Sequence, residues 1–296
     1  MLLLTGASGF IGKHLLSLLI EKNGKDNTVC LTSQPITECK YLLHNNYHFE
    51  SDFFVKNGFQ NIDTIIHAGA FTPKKGSEAN NIQLSNSNIF NTNKLLNATL
   101  PNLKKIIYIS TLDVYDNESI ISENTLEKPA SLYGHSKLYS EKIVESWGKE
   151  NNKSVQILRI GHVYGPGEEA YQKIIPATIQ NILAKKPIQI WGTGEELRSF
   201  IYIKDIVTAI VNSINLKEDA GVINLVGNRS ISINDLVNII KQISNEDVTI
   251  EKIPAEKKGR DFVFDSSKMN TFLLPKETSL EEGLKEEFEY MKKNKK

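Results

Sequence analysis

Short apolar runs alternate with longer helical patterns through the first half of this 296-residue chain. The runs are rich in aliphatic and β-branched residues, which suits strands buried on both faces of a sheet. They predict strands at 2–5, 28–31, 47–50, 64–67, 105–109 and 155–159. Between them, apolar residues such as Leu15, Leu18 and Leu19 recur at helical spacing and predict helices at 9–22, 85–100 and 132–149. This alternation is typical of repeated βαβ units, so we expect an α/β fold with a doubly wound parallel sheet.

The pattern changes after Gly165, Pro166 and Gly167, where the predicted elements become shorter and turn residues more frequent. We therefore expect one domain at 1–165, which carries the parallel sheet, and a smaller mixed α/β lobe at 166–296. Part of the second region is expected to return to the first domain as a strand and a helix.

The charges balance, with 35 lysines and arginines against 35 aspartates and glutamates, so we expect no binding of nucleic acid or of acidic membranes. Cys30 and Cys39 are too few for a disulfide framework and lack the spacing of metal ligands, which predicts a reducing compartment and no metal site. The apolar start runs directly into a glycine turn without the features of a signal peptide, and no apolar stretch reaches the ~18 residues of a membrane span. We expect a cytoplasmic protein.

A glycine-rich turn joins the first predicted strand to the first helix. Gly6 permits the tight turn, Gly9 lets the backbone approach a pyrophosphate, and Gly12 lets helix and strand pack closely. The helix then presents free N–H groups and the positive end of its dipole to the phosphates. The order of strand, turn and helix favours a nicotinamide dinucleotide site over a simple tight turn, with contacts from Gly6, Ser8, Gly9, Phe10, Ile11 and Gly12.

Tyr133 and Lys137 form a Y-x-x-x-K pair on a predicted helix, where a spacing of four residues brings both to one face. Alone, such a pair is usually part of a solvated surface. The segment 108–111 changes this interpretation, because it ends the fifth predicted strand at the carboxyl edge of the sheet, where doubly wound folds bind ligands. We expect Lys137 and the positive ring of an oxidised cofactor to lower the pKa of Tyr133 from about 10, which makes the phenol a general base for hydride transfer at a hydroxyl carbon.

These motifs and the G-x-x-G-x-x-G spacing of the turn resemble the extended short-chain dehydrogenase/reductase family, specifically its nucleotide-sugar epimerases, dehydratases and reductases, over residues 3–268. The resemblance implies a Rossmann domain at 1–165 and a nucleotide-sugar-binding lobe at 166–296. It also implies that Thr111, rather than Ser110, binds the reacting sugar oxygen beside Tyr133 and Lys137, with support from Asn88. A homodimer formed by the helices at 85–100 and 132–149 and their copies is implied as well.

The resemblance adds further cofactor contacts. The segment 65–70 resembles the family's HxAA segment, and Asp52 resembles the acidic residue that reads adenine, which implies contacts from Asp52, His67, Ala68 and Gly69. Without the resemblance, His67 would be interpreted as a satisfied core histidine and Asp52 as a helix N-cap.

The choice between NAD and NADP stays open. The acidic residue expected ~20 residues beyond the glycines, where it binds the ribose 2′-hydroxyl, is absent. Thr32 and Ser33 occupy that place and would not repel a 2′-phosphate. We expect NAD if the chain is an epimerase and NADP if it is a reductase.

The residues beside Thr111 separate the reactions of the resembling family. Its dehydratases carry Thr-Asp-Glu, in which the aspartate protonates a leaving hydroxyl and the glutamate abstracts the C5 proton. Here Leu112 cannot donate a proton and Asp113 has a shorter reach, although a decarboxylase-like role stays open. We therefore expect a nucleotide-sugar 4-epimerase, acting on a UDP- or dTDP-sugar by transient oxidation at C4. The alternatives are a 4-keto reductase and, from another class, a non-catalytic dinucleotide sensor.

The second half of the chain is expected to hold the substrate's diphosphate. The segment 158–167 resembles the family's LRxxNVYGP motif with His162 in place of asparagine, and Lys173 replaces a second family asparagine. The segment 190–205, with Arg198, is similar to WGxGxxxRxFIYVxD, and Arg260 lies in a late segment that resembles one with a second arginine. Guanidinium groups match phosphate oxygens with paired hydrogen bonds. The resemblance thus implies substrate binding by Asn88, His162, Lys173, Arg198 and Arg260.

Overall fold

Strands and helices alternate along the first half of the chain, as the hydrophobic pattern predicts. The computed structural model describes residues 1–216, 220–255 and 259–294. Its strands are β1 (Leu2–Thr5), β2 (Thr28–Thr32), β3 (Lys40–Leu43), β4 (Thr64–His67), β5 (Lys105–Thr111), β6 (Ser154–Ile160), β7 (His162–Tyr164), β8 (Ile188–Trp191), β9 (Leu197–Tyr202), β10 (Ile223–Leu225), β11 (Ser230–Ser232) and β12 (Ile250–Ile253). Its helices are α1 (Phe10–Asn23), α2 (Phe53–Lys56), α3 (Ile82–Leu96), α4 (Leu132–Glu150), α5 (Ile174–Leu183), α6 (Ile203–Ile214), α7 (Ile233–Ser244), α8 (Ser267–Phe272) and α9 (Leu280–Lys293).

Seven parallel strands form the central sheet in the order β10-β6-β5-β4-β1-β2-β3. The order reverses beside β1, which pairs with β2 on one side and β4 on the other, and such a reversal leaves a crevice at the carboxyl ends of the strands. The predicted doubly wound parallel sheet is therefore confirmed. Strand β10 pairs with β6, so the chain returns to this sheet after it has formed much of the smaller lobe.

The third strand lies earlier in the chain than predicted. We expected an extended segment at 47–50, but β3 spans Lys40–Leu43 and pairs with β2. Asn46 and Tyr47 have left-handed backbone conformations, with φ of 47° and 57°, which interrupt an extended strand. Tyr47 is buried because its ring packs against His67 from this turn, with 6.2 Å between the ring centroids. The aromatic residues of 47–50 therefore serve packing rather than strand pairing.

The smaller lobe contains a mixed sheet, β11-β9-β7, in which β9 runs parallel to β7 and antiparallel to β11. Strands β8 and β12 form a separate parallel pair. One apolar cluster continues from the large sheet into this lobe and includes Leu4, Ile179 and Leu236. Helix α6 packs against α1, so the lobe is anchored on the helix that follows the glycine turn.

Within the described residues, no helix is both long and apolar enough to cross a membrane. Among the same residues, no three or more His, Cys, Asp or Glu side chains are grouped so that they could hold a metal ion. The cytoplasmic location stays a prediction from the sequence.

Candidate functional site

A cavity of about 870 Å³ lies beside the reversal of strand order. Its walls come from the glycine turn, the end of β5, the first turns of α4 and the loops at 70–79 and 160–173. It brings together many of the residues that the sequence predicts, namely Gly6, Gly9, Phe10, Ile11, Gly12, Ala68, Thr111, Tyr133, Lys137, His162, Lys173 and Arg260. Ser8, Thr32, Ser33, Asp52, His67, Gly69, Asn88 and Arg198 are not part of its lining.

The glycine turn is shaped to admit a pyrophosphate. Gly6 has φ +77°, and a Cβ atom there would lie 2.7 Å from the backbone of Ala68. A Cβ atom on Gly12 would lie 1.9 Å from the carbonyl oxygen of Gly6, so helix α1 can approach β1 only with glycine at this position. Gly9 caps α1 without a side chain, which leaves the first N–H groups of the helix open to a ligand. These residues fit a dinucleotide.

His67 supports the cavity from behind. Its Nδ1 lies 2.8 Å from the hydroxyl oxygen of Thr5, and its Nε2 lies 3.1 Å from that of Thr92. The N–H of Gly69 donates to the same Thr5 hydroxyl at 2.8 Å. Burial, and then the charge of Lys137, lowers the pKa of His67 to about 3, so the ring is neutral. The imidazole therefore links β1, β4 and α3. It would affect a bound cofactor only by positioning these three elements.

Asn88 also uses its side chain for support. Its carbonyl oxygen accepts from the N–H of Phe71 at 2.7 Å, and its amide donates to the carbonyl of Phe71 and to Ser136, both at 3.2 Å. The ring of Phe71 packs edge-on against Tyr133, with 6.1 Å between centroids. Asn88 is therefore a positioning residue for the tyrosine, and the structure gives it no opening to a sugar.

The predicted adenosine contacts lie apart from the cavity. Thr32 is buried and donates to the carbonyl of Gln34 at 3.0 Å, while Ser8 and Ser33 are exposed. Asp52 stands at the N-cap of α2, but its carboxylate pairs with Lys56 at 2.9 Å instead of capping the helix. Their roles at a cofactor stay predictions.

Thr111 and Ser110 point to different partners at the end of β5. Ser110 donates to the buried carboxylate of Glu141, whereas Thr111 accepts from the N–H of Asp113 at 3.3 Å and lines the cavity. Ser131 then caps α4 by accepting from the N–H of Gly134 at 3.1 Å, so the helix starts at Leu132, one residue before Tyr133. This arrangement agrees with the choice of Thr111 over Ser110 as the hydroxyl beside the phenol.

Burial shifts the pKa values of both Tyr133 and Lys137. Burial, followed by the charge of Asp113, raises the pKa of Tyr133, although hydrogen bonding by Thr111 and Thr72 works against this rise. Burial lowers the pKa of Lys137 to about 7. Its Nζ donates to the carbonyl of Ile109 at 2.7 Å. A positive charge on Lys137 or on the ring of a bound cofactor would lower the pKa of the phenol, and activation of Tyr133 by both stays a prediction.

Three of the residues predicted to bind substrate, His162, Lys173 and Arg198, line a second, smaller cavity of about 300 Å³. The larger cavity shares His162, Val163 and Lys173 with it, and Arg260 lines the larger cavity. Burial, with the charges of Arg198 and Lys173, lowers the pKa of His162 to about 3, and its Nδ1 is buried without a partner. The guanidinium groups of Arg198 and Arg260 lie 4.9 Å and 4.5 Å from the centre of the Phe262 ring. The two arginines therefore converge, as the resemblance implies, and Arg198 also donates to the carbonyl of Arg260.

Two buried ionic groups escaped the sequence analysis. Arg159 pairs with Glu141 at 2.6 Å and also with Glu127, which ties β6 to α4 behind Tyr133. Glu168 pairs with Lys173 at 3.1 Å, and burial raises the pKa of Glu168 and of its neighbour Glu287 on α9. Neither group matches a motif. Arg159 lies 18 residues from Glu141 and Lys173 lies 5 residues from Glu168, and opposite charges at these spacings carried no signal.

The sheet reversal and the threonine–tyrosine–lysine group beside it define the class: a dinucleotide-binding protein of the short-chain dehydrogenase/reductase kind. Residues 2–226 match the NAD dependent epimerase/dehydratase family, and the chain belongs to that family. This membership confirms the resemblance stated from the sequence and the expectation of an enzyme of the epimerase/dehydratase kind.

Individual relatives carry different activities. A dTDP-D-glucose 4,6-dehydratase of Dictyostelium discoideum is 32% identical over 82% of this chain, which spans 62% of that protein's length. A putative UDP-glucose 4-epimerase of Methanocaldococcus jannaschii is 27% identical over 99% of both chains. The crystal structure of UDP-glucuronic acid 4-epimerase from Bacillus cereus in complex with NAD has a TM-score of 0.85 and 28% identity, covering 100% of this chain and 99% of its own.

Proposed function

We propose that the chain is a NAD-dependent nucleotide-sugar 4-epimerase. The observation that carries this proposal is the meeting of Thr111, Tyr133 and Lys137 with the glycine turn in one cavity. The family is NAD dependent, and the Bacillus cereus neighbour is solved with NAD, which favours NAD over NADP for this reaction. Thr32 and Ser33 leave NADP as the choice for the reductase alternative.

Tyr133 accepts the proton of the sugar's C4 hydroxyl, while Thr111 holds that oxygen through its own hydroxyl. Bound NAD supplies a reversible hydride acceptor for C4. Lys137, held by the carbonyl of Ile109 at 2.7 Å, favours the anionic form of the phenol when it carries its positive charge. After the sugar presents its other face, C4 would take the hydride back while Tyr133 returns the proton to the oxygen, which gives the inverted alcohol.

The two joined cavities suit an elongated substrate. We place the sugar beside Tyr133 and the diphosphate near Lys173 and the two arginines, Arg198 and Arg260, because guanidinium groups match phosphate oxygens. The nucleoside then enters the smaller cavity, where the exposed ring of Trp191 offers a surface for stacking a base. The Methanocaldococcus relative and the Bacillus neighbour are both named for UDP-sugars, so UDP is the first nucleotide to test.

Dehydration is disfavoured although several relatives are named as 4,6-dehydratases. Leu112 occupies the position next to Thr111 and is buried and apolar, so this position supplies no proton to a leaving hydroxyl. A net 4-keto reductase uses the same three residues and differs by consuming NADH or NADPH. A dinucleotide sensor would need none of them.

A panel of UDP-, dTDP- and GDP-sugars, analysed by chromatography with and without added cofactor, separates these functions. The proposal expects interconversion of two C4 epimers without net consumption of cofactor and without entry of solvent deuterium at C5. Consumption of reduced cofactor would identify a reductase. Entry of solvent deuterium at C5 in the parent protein, lost in Asp113→Asn, would identify dehydratase chemistry. No turnover of any sugar would favour a sensor.

We also infer a homodimer built on α3 and α4. These helices pack against each other and leave large apolar side chains exposed on their surface, including Ile82 at 66% and Tyr139 at 58%. Exposed apolar side chains clustered on neighbouring helices are typical of a protein–protein interface.

A further inference from the structure

Cys30 and Cys39 are the two cysteines of the chain, and neither of them lines the two cavities described above. Cys30 lies within β2 and is completely buried, whereas Cys39 immediately precedes β3 and is partly exposed. Their Sγ atoms lie 3.5 Å apart. An exposed thiol with a second thiol next to it is the arrangement typical of redox-sensitive cysteines.

The pairing of β2 with β3 brings the two thiols together. Lys40 is the sheet partner of Val29, and Tyr41 is the sheet partner of Cys30. Cys39 precedes Tyr41 by two residues, so its side chain lies on the same face of the sheet as that of Cys30. Both cysteines also pack in the same apolar cluster. The register of the edge strand β3 therefore sets the contact between two sulfur atoms that are nine residues apart.

The segment between the cysteines can bring the two sulfur atoms to bonding distance. The S–S bond of a disulfide is about 2 Å long, so the sulfur atoms must approach each other by roughly 1.5 Å. The segment 33–39, which the structure describes in full, contains neither a helix nor a strand, and most of its residues are exposed. A small movement of Cys39 toward β2 therefore leaves the buried strand in place.

The two thiols differ in reactivity. A hydrogen bond from Cys30 lowers the pKa of Cys39, although burial and the charge of Glu38 oppose this shift. The same hydrogen bond, followed by burial, raises the pKa of Cys30. The thiolate is the form of cysteine that acts as a nucleophile. Cys39 is therefore the thiol that a dissolved oxidant reaches and with which it reacts first, and Cys30 is the second thiol beside it.

We propose that Cys30 and Cys39 form a redox modification site, at which hydrogen peroxide converts the two thiols into an intramolecular disulfide that fixes the edge strand β3 to β2. The sulfur of Cys39 attacks one peroxide oxygen, so that an S–O bond forms and the O–O bond breaks. The hydroxide that leaves takes up the proton that Cys39 has lost. The sulfur of Cys30 then attacks that of Cys39, so that the S–S bond forms and the S–O bond breaks. The oxygen leaves with the proton of Cys30, and the sum is one disulfide and two water molecules.

Mass spectrometry of the full chain after treatment with hydrogen peroxide tests this site. Residues 26–40 form one tryptic peptide that contains both cysteines, because no lysine or arginine lies between Lys25 and Lys40. We expect this peptide to lose about 2 Da, the mass of the two thiol hydrogens, and to regain it with dithiothreitol. Amide hydrogen exchange in the segment 33–43 should become at least about threefold slower in the oxidised protein and return to its first rate on reduction.

Two variants assign the roles of the thiols. In Cys30→Ala the remaining Cys39 has no partner, so peroxide should add about 32 Da as a sulfinic acid that dithiothreitol does not remove. In Cys39→Ser the remaining Cys30 is buried, so the same treatment should leave its mass unchanged. This second variant changes a partly exposed side chain and assigns the roles even where Cys30→Ala does not fold.

Three results would contradict this site. A parent peptide that keeps its mass, gains oxygen or links two chains overturns the intramolecular disulfide. Unchanged hydrogen exchange in fully oxidised protein overturns the fixing of β3, and oxidation of Cys30 in folded Cys39→Ser overturns the assigned order of reaction. These measurements use no sugar, so their outcome is independent of the proposed epimerase activity.

Discussion

At the scale of residues, two opposing effects act on the pKa of the Tyr133 phenol. Burial and Asp113 raise its pKa, whereas Thr111 and Thr72 act in the other direction. Lys137 has a pKa lowered to about 7 by burial and so contributes only part of a charge near neutral pH. The residues are therefore arranged for a proton transfer that becomes favourable when the oxidised cofactor adds its own positive charge.

Tyr133→Phe tests this arrangement with the smallest possible change, because it removes one oxygen and keeps the ring that packs against Phe71. General acid–base groups typically contribute about 10²- to 10⁴-fold in rate, so we expect turnover of the best sugar to fall by at least this range. NAD retention, measured on the same preparation, should stay near that of the parent. Near-parental turnover would mean that the proton leaves by another route.

Thr111→Val is the companion to this variant. It removes a hydrogen bond to the sugar oxygen and keeps the base, so the loss of turnover should be smaller than in Tyr133→Phe.

Lys137→Met should stabilise the cofactor-free protein while it lowers turnover. The folded-state pKa of about 7 lies below the usual 10.5, so the unfolded chain binds more protons between these values. Below pH 7 the buried lysine lowers the free energy of unfolding by its full amount, and this loss disappears as the pH rises through 10.5. We expect a gain on the order of 1–2 kcal/mol at pH 6, and a smaller gain at pH 9.5.

Thermal unfolding at both pH values checks this, with Lys142→Met as the matched control. Lys142 lies on the same helix, where it is half-exposed and pairs with Glu127, so its replacement should not stabilise the protein at either pH. An equal gain at pH 6 and pH 9.5 in Lys137→Met would rule out charge burial as the cause.

Residues with a local spacing were predictable, and residues that act through distant partners were not. Tyr133, Lys137 and the three glycines carry their chemistry within one short segment each, and the cavity contains all of them. The ion pair of Arg159 with Glu141 depends on the packing of β6 against α4, which spacing along the chain does not encode. The pKa of Lys137 depends in the same way on burial, which spacing along the chain does not encode.

At the scale of elements, the glycine turn before α1 strongly restricts which residues can replace its glycines. Gly12→Ala would place a Cβ atom 1.9 Å from the carbonyl oxygen of Gly6, and this backbone contact cannot be relieved by a rotamer change. We expect a loss of about 1–3 kcal/mol in stability from overpacking. NAD retention should also fall, because the turn that receives the pyrophosphate must move.

Gly76→Ala is the control for this substitution. A Cβ atom on Gly76 meets no heavy atom within 4 Å, so the melting temperature of this variant should match that of the parent. If Gly12→Ala also retains NAD and its melting temperature, the close packing of α1 on the turn is not required.

Strands formed by continuous apolar runs were predicted at the correct residues, whereas β3 was not. Strands β1 and β4 have the predicted bounds because continuous apolar runs identify strands that are buried on both faces. Strand β3 lies at the edge of the sheet, where three of its four residues are exposed, so it lacks such a run. The segment at 47–50 was predicted as a strand because it contains aromatic residues, but Tyr47 is buried in a turn.

At the scale of the whole molecule, the chain crosses between its two parts more than once. Helix α6 packs against α1, and β10 completes the edge of the large sheet beside β6. The looser pattern after residue 165 predicted a smaller second lobe. The returning strand β10 has only three residues, Ile223–Leu225, so its hydrophobic pattern was too short to show where it lies. Both halves of the chain line the cavity, the first through the glycine turn and the second through residues such as Tyr171, Lys173 and Arg260.

The last prediction concerns assembly. If α3 and α4 pair with their copies about a two-fold axis, the same apolar surface occurs on both sides of the interface, and each substitution is present twice. We expect a dimer at micromolar concentration in sedimentation velocity, and a monomer when Phe90→Lys and Tyr139→Lys place charges on both helices. Leu126→Lys is the control, because Leu126 is 63% exposed and apolar but lies outside these helices. A parent protein that sediments as a monomer would remove the dimer, and a dimer that survives the double substitution would move the interface to another surface.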